Sequence, residues 1–436
     1  MSNRAPASGW REAPLGDLGG FERGRGGTKA DERPTGVPCV RYGDLYTKHD
    51  FVIREITTFV VPDMAGMYTP LRAGDVIFAG SGETHEEIGK AAVFCGSGPA
   101  CAGADTIIFH PNRHLDPVFT GYAVNSARAQ RFKSRMGQGS SVIHIGESHL
   151  RQLCLLVPPR REQMRIAEIL DTLDDAIRKT EEVIAKLGQM KLGLLHDLLT
   201  RGLDKHGELR DPERHPEQFK ESPLGRIPKA WDIKALGECL LRSPQNGLYK
   251  PASAIGAGAL MVGQTAFTAS KSIDYSLARR AAASASEMNN WGLVEGNVLV
   301  SRVFATVEGV GQPVLVPPPP EPAVYESNMM RLKVDTAVIR SELLFHWLRD
   351  SRVRRHVVAN ANPSNQTSIN QVGLCRVPIA RPLPEEQEAI LAAAAAASRR
   401  EQREQADAEK LRMLKHGLMN DLLTGRVRVG VPKEPA

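Results

Sequence analysis

Between Pro159 and Arg201 the chain carries a pattern that few folds can accommodate. Ile166, Leu170, Leu173, Ile177, Thr180, Ile184, Leu187, Lys191, Leu194 and Leu198 fall at alternating intervals of four and three residues, and all but Thr180 and Lys191 are large and apolar. A seam held at that spacing specifies a long helix that buries a narrow stripe against a partner. No stop signal interrupts it, so the stretch reads as a coiled-coil spacer rather than an ordinary globular helix.

The spacer has a twin. Pro158 pairs with Pro382, Glu162-Gln163 with Glu386-Gln387, Ile166 with Ile390, Lys191 with Lys415, and Asp197-Leu198-Leu199-Thr200 with Asp421-Leu422-Leu423-Thr424, all at a constant offset of 224 residues. Upstream, Trp10-x4-Leu15-Gly16 recurs as Trp231-x4-Leu236-Gly237, and Gly74-Asp75-Val76 as Gly296-Asn297-Val298. The chain is therefore a tandem repeat of a globular module followed by a long helix. The second seam (Ile390, Ala394, Ala397, Glu401, Glu404, Ala408, Leu411, Lys415, Leu418, Leu422) is degraded: its alanines predict close approach and its glutamates a wet or partner-covered stretch. Lys191 and Lys415 either set the register of the pair or snorkel to solvent.

Short alternating runs such as Asp75-Val76-Ile77-Phe78 and Thr106-Ile107-Ile108-Phe109, punctuated by glycine, predict strands in the first module, with a helical patch from Pro117 to Arg135. The expected class is α+β, with two globular domains separated by an antiparallel coiled coil of two long helices. The division is 1–158 for the first module, 159–201 for its helix, 202–230 for a polar linker, 231–381 for the second module, 382–425 for the second helix and 426–436 for a tail. Six scattered cysteines without a C-x-x-C pair argue against a disulfide framework or zinc site and fit a reducing cytoplasm. No apolar run is long enough for a membrane span, and no apolar stretch near Met1 resembles a secretory signal.

A formal charge of +6 leans towards an acidic partner without requiring one. Catalytic constellations are missing. Gly89-Lys90 is followed by alanine and does not complete a phosphate-binding loop, and no glycine-rich turn suits a nucleotide or methyl donor. Asn362-Pro363-Ser364-Asn365 lacks the aromatic residue that stacks on a flipped base in an amino-methyltransferase. His110 and His114 are split by Pro111 and have no acidic partner for a metal.

Two features point to nucleic acid. Basic clusters occupy one repeat position, with Arg128, Arg131, Lys133 and Arg135 in the first module and Arg352, Arg354 and Arg355 in the second. Cations there could meet phosphates, and a solvated helix end favoured by the macrodipole is the alternative. Polar loops also follow the repeated strand. Ser81, Glu83, Thr84, His85 and Lys90 are the candidate readers in the first; Arg302, Thr306 and Glu308, with Asn365 and Gln366 further on, are those in the second. The loops differ while their flanks match, which suggests two different readers on one scaffold.

These pieces, in order and duplicated, resemble the specificity subunit of type I restriction-modification systems. The likeness rests on Gly36 to Leu45, Gly74 to Thr84, the Pro-x3-Glu-Gln opening and Asp-Leu-Leu-Thr closing of each helix, and Ser222-Pro223-Leu224-Gly225-Arg226-Ile227-Pro228 before the second module. It implies two target-recognition domains, each reading one half of a bipartite site on double-stranded DNA, with the helices, about 50 Å long, setting the gap. It also implies a subunit without catalysis, binding no cofactor itself, that recruits two methylation subunits using S-adenosylmethionine and restriction subunits using ATP and Mg. The competing classes are a fused or atypical methyltransferase-nuclease and a coiled-coil adaptor that binds only proteins.

Overall fold

The computed structural model describes residues 8–27, 29–268, 271–362 and 366–430. The chain divides into two compact units: residues 1–183 with 404–436 form unit 1, and residues 184–403 form unit 2. Each unit therefore holds one module together with a part of both long helices.

In unit 1, one five-stranded sheet runs in the order Gly19–Arg23, Thr106–Pro111, β1 (Val76–Ala79), Ala91–Phe94, Val52–Ile53. The second is ordered Glu32–Arg33, Phe59–Val60, Val37–Val40, Ala100–Ala102, Thr69–Leu71. The residues of β1 alternate between two clusters. Val76 and Phe78 join a core with Phe109, Phe119 and Tyr122, while Ile77 and Ala79 join Val40, Leu45 and Ile108. Both faces are covered, which is why the strand reads as an unbroken apolar run. β1 leads into β2 (Ser81–Gly82). Further on, α1 (Ala127–Met136) is capped by Ser126, whose hydroxyl accepts from Ala129 N, and β3 (Ile143–His144) pairs antiparallel with β2. The module closes where Arg11–Pro14 pairs with Cys154–Val157, immediately before α2 (Arg160–Thr200).

Unit 2 repeats these parts with fewer strands. β4 (Val298–Ser301) lies in a four-stranded sheet beside Met329–Leu332 and Pro313–Leu315, and leads into β5 (Val303–Phe304). The helix α3 (Ser351–Ala359) starts at Asp350, whose carboxylate accepts from Arg352 N, and β6 (Thr367–Ser368) pairs with β5 as β3 does with β2. Asp232–Ala235 pairs with Pro378–Arg381 before α4 (Pro384–Leu422) begins. The chain is thus α+β, with the tandem repeat and the two long helices.

The helices run antiparallel within each unit. In unit 1, Asp174 and Glu181 of α2 pair with Lys415 and Arg412 of α4, and in unit 2 Lys191 pairs with Glu401. Every position of both seams, from Ile166 to Leu198 and from Ile390 to Leu422, is buried or half-buried. Neither seam lysine snorkels. Lys191 meets Glu401, and Lys415 meets Asp174 while lying 4.6 Å from the centre of the Phe51 ring. Glu401 therefore serves as an internal partner and does not mark a wet stretch.

The docking of each helix start depends on its Glu-Gln pair. Glu162 and Glu386 are 2 % and 8 % exposed. Trp10 Nε1 donates to Glu162 at 3.1 Å, and Trp231 Nε1 to Glu386 at 2.9 Å. Arg428 clasps Glu162 through Nε and Nη2 at 2.6 and 2.8 Å, and Arg210 clasps Glu386 through Nη1 and Nη2 at 2.6 and 3.2 Å. The adjacent glutamines bind backbone at repeat-equivalent places. Gln163 accepts from Asp116 N and donates to His114 O and Pro158 O; Gln387 accepts from Arg340 N and donates to Val338 O and Pro382 O.

Two sequence expectations need correction here. Residues 202–230 are folded and not a loose linker: Phe219–Lys220 pairs with Ile227–Pro228, and Leu203, Leu224 and Ile227 are buried in the core of unit 2 with Trp231 and Trp347. The spaced apolar residues of that stretch had been masked by its charge. The start of the tail is also fixed, since Arg428 reaches both Glu162 and Ser8 O; residues 431–436 lie outside the described ones. Arg210→Met should lower the stability of unit 2 by about 2 kcal/mol in urea unfolding, because it leaves a buried carboxylate with only the neutral N–H donors of Trp231 and Leu203. Arg428→Met should cost less, its side chain being 44 % exposed.

Candidate nucleic-acid interface

β1 to α1 in unit 1, and β4 to α3 in unit 2, place a polar loop and a basic helix side by side. In unit 1 the loop after β2 exposes Glu83, Thr84, His85, Glu86 and Glu87. Ser81 is buried instead. Its hydroxyl is 2.9 Å from His144 Nδ1 on β3, and its carbonyl accepts from Tyr46 Oη at 3.1 Å. Lys90 is half-buried, and burial lowers its ammonium below the ordinary lysine value. In unit 2 the loop exposes Thr306 and Glu308, whereas Arg302 is half-buried with Nε donating to Ser327 O at 3.0 Å. Gln366 is exposed, and Asn365 lies outside the described residues.

The basic clusters divide by orientation. Arg131, Arg135 and Arg355 are exposed. Arg128 is exposed too but is paired with Glu12. Phosphate contact is corrected for three others. Lys133 is fully buried, its Nζ donating to Gly89 O at 2.6 Å and lying 5.9 Å from the centre of the Phe78 ring. Arg352 binds Asp350 and donates to Leu199 O at 3.0 Å. Arg354 donates to Glu308 O at 3.0 Å and Val310 O at 2.6 Å, and burial lowers its guanidinium below the ordinary arginine value. Helical periodicity carries Lys133 onto the inner face of α1, whereas Arg352 and Arg354, about 200° apart around α3, turn to partners on its two flanks. Ser81 is likewise no base reader, because pairing of β2 with β3 holds its hydroxyl against His144 in the interior.

Among the described residues, no group of His, Cys, Asp or Glu side chains is placed to hold a metal ion, and no helix is long and apolar enough to cross a membrane. His110 binds Asp75 at 2.7 Å, tying two strands of one sheet together. Sequence reasoning missed Gln130, whose side chain grips Glu86 O and Ile88 O. Its place at the 224-residue offset from Arg354 was the available signal.

Comparison with known proteins points to one family. The model of the type I restriction modification DNA specificity domain matches residues 7–189. The MjaVIII type I restriction enzyme specificity subunit of Methanocaldococcus jannaschii is 22 % identical over 319 residues, covering 73 % of this chain and 72 % of that protein. A putative MjaX specificity subunit from the same organism is 28 % identical over 167 residues, covering 38 % and 37 %. The S subunit structure from M. genitalium superimposes with a TM-score of 0.53 at 12 % identity, covering 97 % of this chain and 98 % of that one. A chain from a study of assembly and conformational transition in a type I R-M system gives 0.57 at 17 % identity, covering 97 % and 100 %.

The chain is similar to the type I restriction-modification specificity subunits.

The curated relatives named above are specificity subunits, and this does not favour the fused-enzyme class. In this chain the repeat frame is nearly the same in both units, and several of the side chains presented on it are not. Lys133 offers a direct check on the burial of the first loop's support. Burial pushes its ammonium down to about 7. The folded protein therefore binds fewer protons than the unfolded chain between about pH 7 and the ordinary lysine value near 10.4, and stability rises with pH across that window. Chemical denaturation should show the rise in the parent, and Lys133→Met should lack that increment.

Proposed function

We propose that this chain is a type I restriction-modification specificity subunit, that it reads a bipartite site on double-stranded DNA, one half with each unit, and that it positions two methylation subunits and the restriction subunits on it. One observation carries the reading. The same strand-loop-helix frame occurs twice, and side chains at equivalent loop positions differ: Glu83 and His85 in one unit stand where Ala305 and Val307 stand in the other, while Thr84 matches Thr306 and Glu86 matches Glu308. Carboxylate, hydroxyl and imidazole groups discriminate base edges in the major groove. The exposed Arg131, Arg135 and Arg355 lie on the helices beside the loops and suit phosphate contact, which orients without specifying. S-adenosylmethionine, ATP and Mg would be held by the partner subunits and none by this chain, and the assembly would act in the cytoplasm.

The test is co-expression with a matching methylation subunit and genome-wide mapping of methylated adenines. A single motif with two specified halves and an unspecified gap is expected; one continuous motif, or methyl transfer by the chain alone, would contradict the reading. In the same complex, Arg131→Ala and Arg355→Ala should each weaken binding to all sequences and reduce the slope of log K against log salt by about one. An unchanged slope would remove these residues from the phosphate contacts.

A further inference from the structure

The exposed loop of unit 1 is held from beneath by α1. Gln130 Nε2 donates to Glu86 O at 2.7 Å and to Ile88 O at 3.0 Å, and Lys133 Nζ adds a bond to Gly89 O. In unit 2, Arg354 Nη2 donates to Glu308 O at 3.0 Å and to Val310 O at 2.6 Å. The correspondence is position for position. Residues 130 and 354 are related by the 224-residue offset of the helices. The two captured carbonyls, 86 with 308 and 88 with 310, are related by the 222-residue offset of the preceding strands, that of Val76 and Val298. Each unit therefore uses a single side-chain nitrogen, from the same helix position, to catch two backbone carbonyls two residues apart.

The end of each loop repeats as well. Gly89 and Gly311, again at the strand offset, have φ of 69° and 67°. A Cβ on Gly89 would sit 2.9 Å from Lys133 Cδ, and one on Gly311 would sit 2.5 Å from Val357 Cγ1, residues 133 and 357 being equivalent on their helices. Only glycine takes the left-handed turn while leaving room for that approach.

Helix surfaces do not need such an arrangement for stability. A guanidinium taken from water to grip neutral carbonyls loses hydration that apolar packing would not have cost. What the grip supplies is a fixed main-chain path beneath side chains that remain exposed. Because the bonds go to carbonyl oxygens, loop side chains can differ between the units without disturbing the support.

We propose that Gln130 and Arg354 are the positioning residues of the two reading loops, holding Glu83, Thr84 and His85 in one unit and Thr306 and Glu308 in the other at a set depth for base-edge contact. The inference rests on the two-half reading above and adds which residues enforce it.

The test uses the full chain co-expressed with its methylation subunit. Gln130→Met should relax base preference about tenfold in the half-site read by unit 1, leaving the other half and the salt slope unchanged. Arg354→Met should do the mirror image, and Arg354→Lys, which keeps a donor of similar reach, should retain discrimination. In the free chain, amide exchange across residues 85–90 should quicken in Gln130→Met, reporting on the clamp without DNA. Unchanged preference despite faster exchange, equal loss in both halves, unchanged exchange, or failure of Arg354→Lys to retain discrimination would overturn the proposal. A parent complex that methylates no two-part motif would instead refute the two-half reading, a result visible before any variant is made.

Discussion

A buried carboxylate at the first turn of each long helix is the contact on which the rest of the architecture depends. Glu162 and Glu386 each accept from a tryptophan indole of their own module and from an arginine that follows the end of the other long helix. The tryptophan ties the helix start to the first strand of the module. The arginine ties it to the segment by which the partner helix ends, so both helices and one module meet at a single carboxylate. Such a group is costly to bury unless its lone pairs are filled, and here indole and guanidinium N–H groups fill them. The neighbouring Gln163 and Gln387 extend the same logic to the backbone, each bridging three peptide groups whose positions repeat along the chain.

From those two anchors the seams need only approximate complementarity. Unit 1 closes α2 on α4 with Ile166, Leu170, Leu422 and Leu423 in one core. Unit 2 does so with Leu194, Leu198, Ile390 and Ala394. The alanines of α4 allow close approach, and Lys191 and Lys415 each find a carboxylate across the pair. Their partners, Glu401 and Asp174, are not equivalent in the repeat, so the two ion pairs differ and resist exchange of one register for the other.

What was legible in the sequence was periodic or duplicated. The heptad seam of α2, its weaker copy in α4 and the tandem repeat depend on spacing, and spacing survives translation into structure. The loop residues Glu83 to His85 and Thr306 were legible as exposed polar groups for the same reason: they interrupt apolar strands. Lys133 and Arg354 were not, because which side of a helix meets a carbonyl such as Gly89 O or Val310 O is set by the tertiary path of the loop. Ser81 and the stretch 202–230 failed likewise. A hydroxyl can face His144 and a charged sequence can hide Leu203, Leu224 and Ile227, and neither is visible from composition. Chemistry on the repeat frame is the part that the frame itself does not dictate.

The central claim is that one frame carries two independent readers. It is tested most directly by replacing residues 1–158 with the corresponding module of a type I specificity subunit and mapping methylated adenines made by the hybrid complex. The account predicts that one half of the motif changes while the other half and the gap are retained. A motif altered in both halves, or in neither, would contradict it.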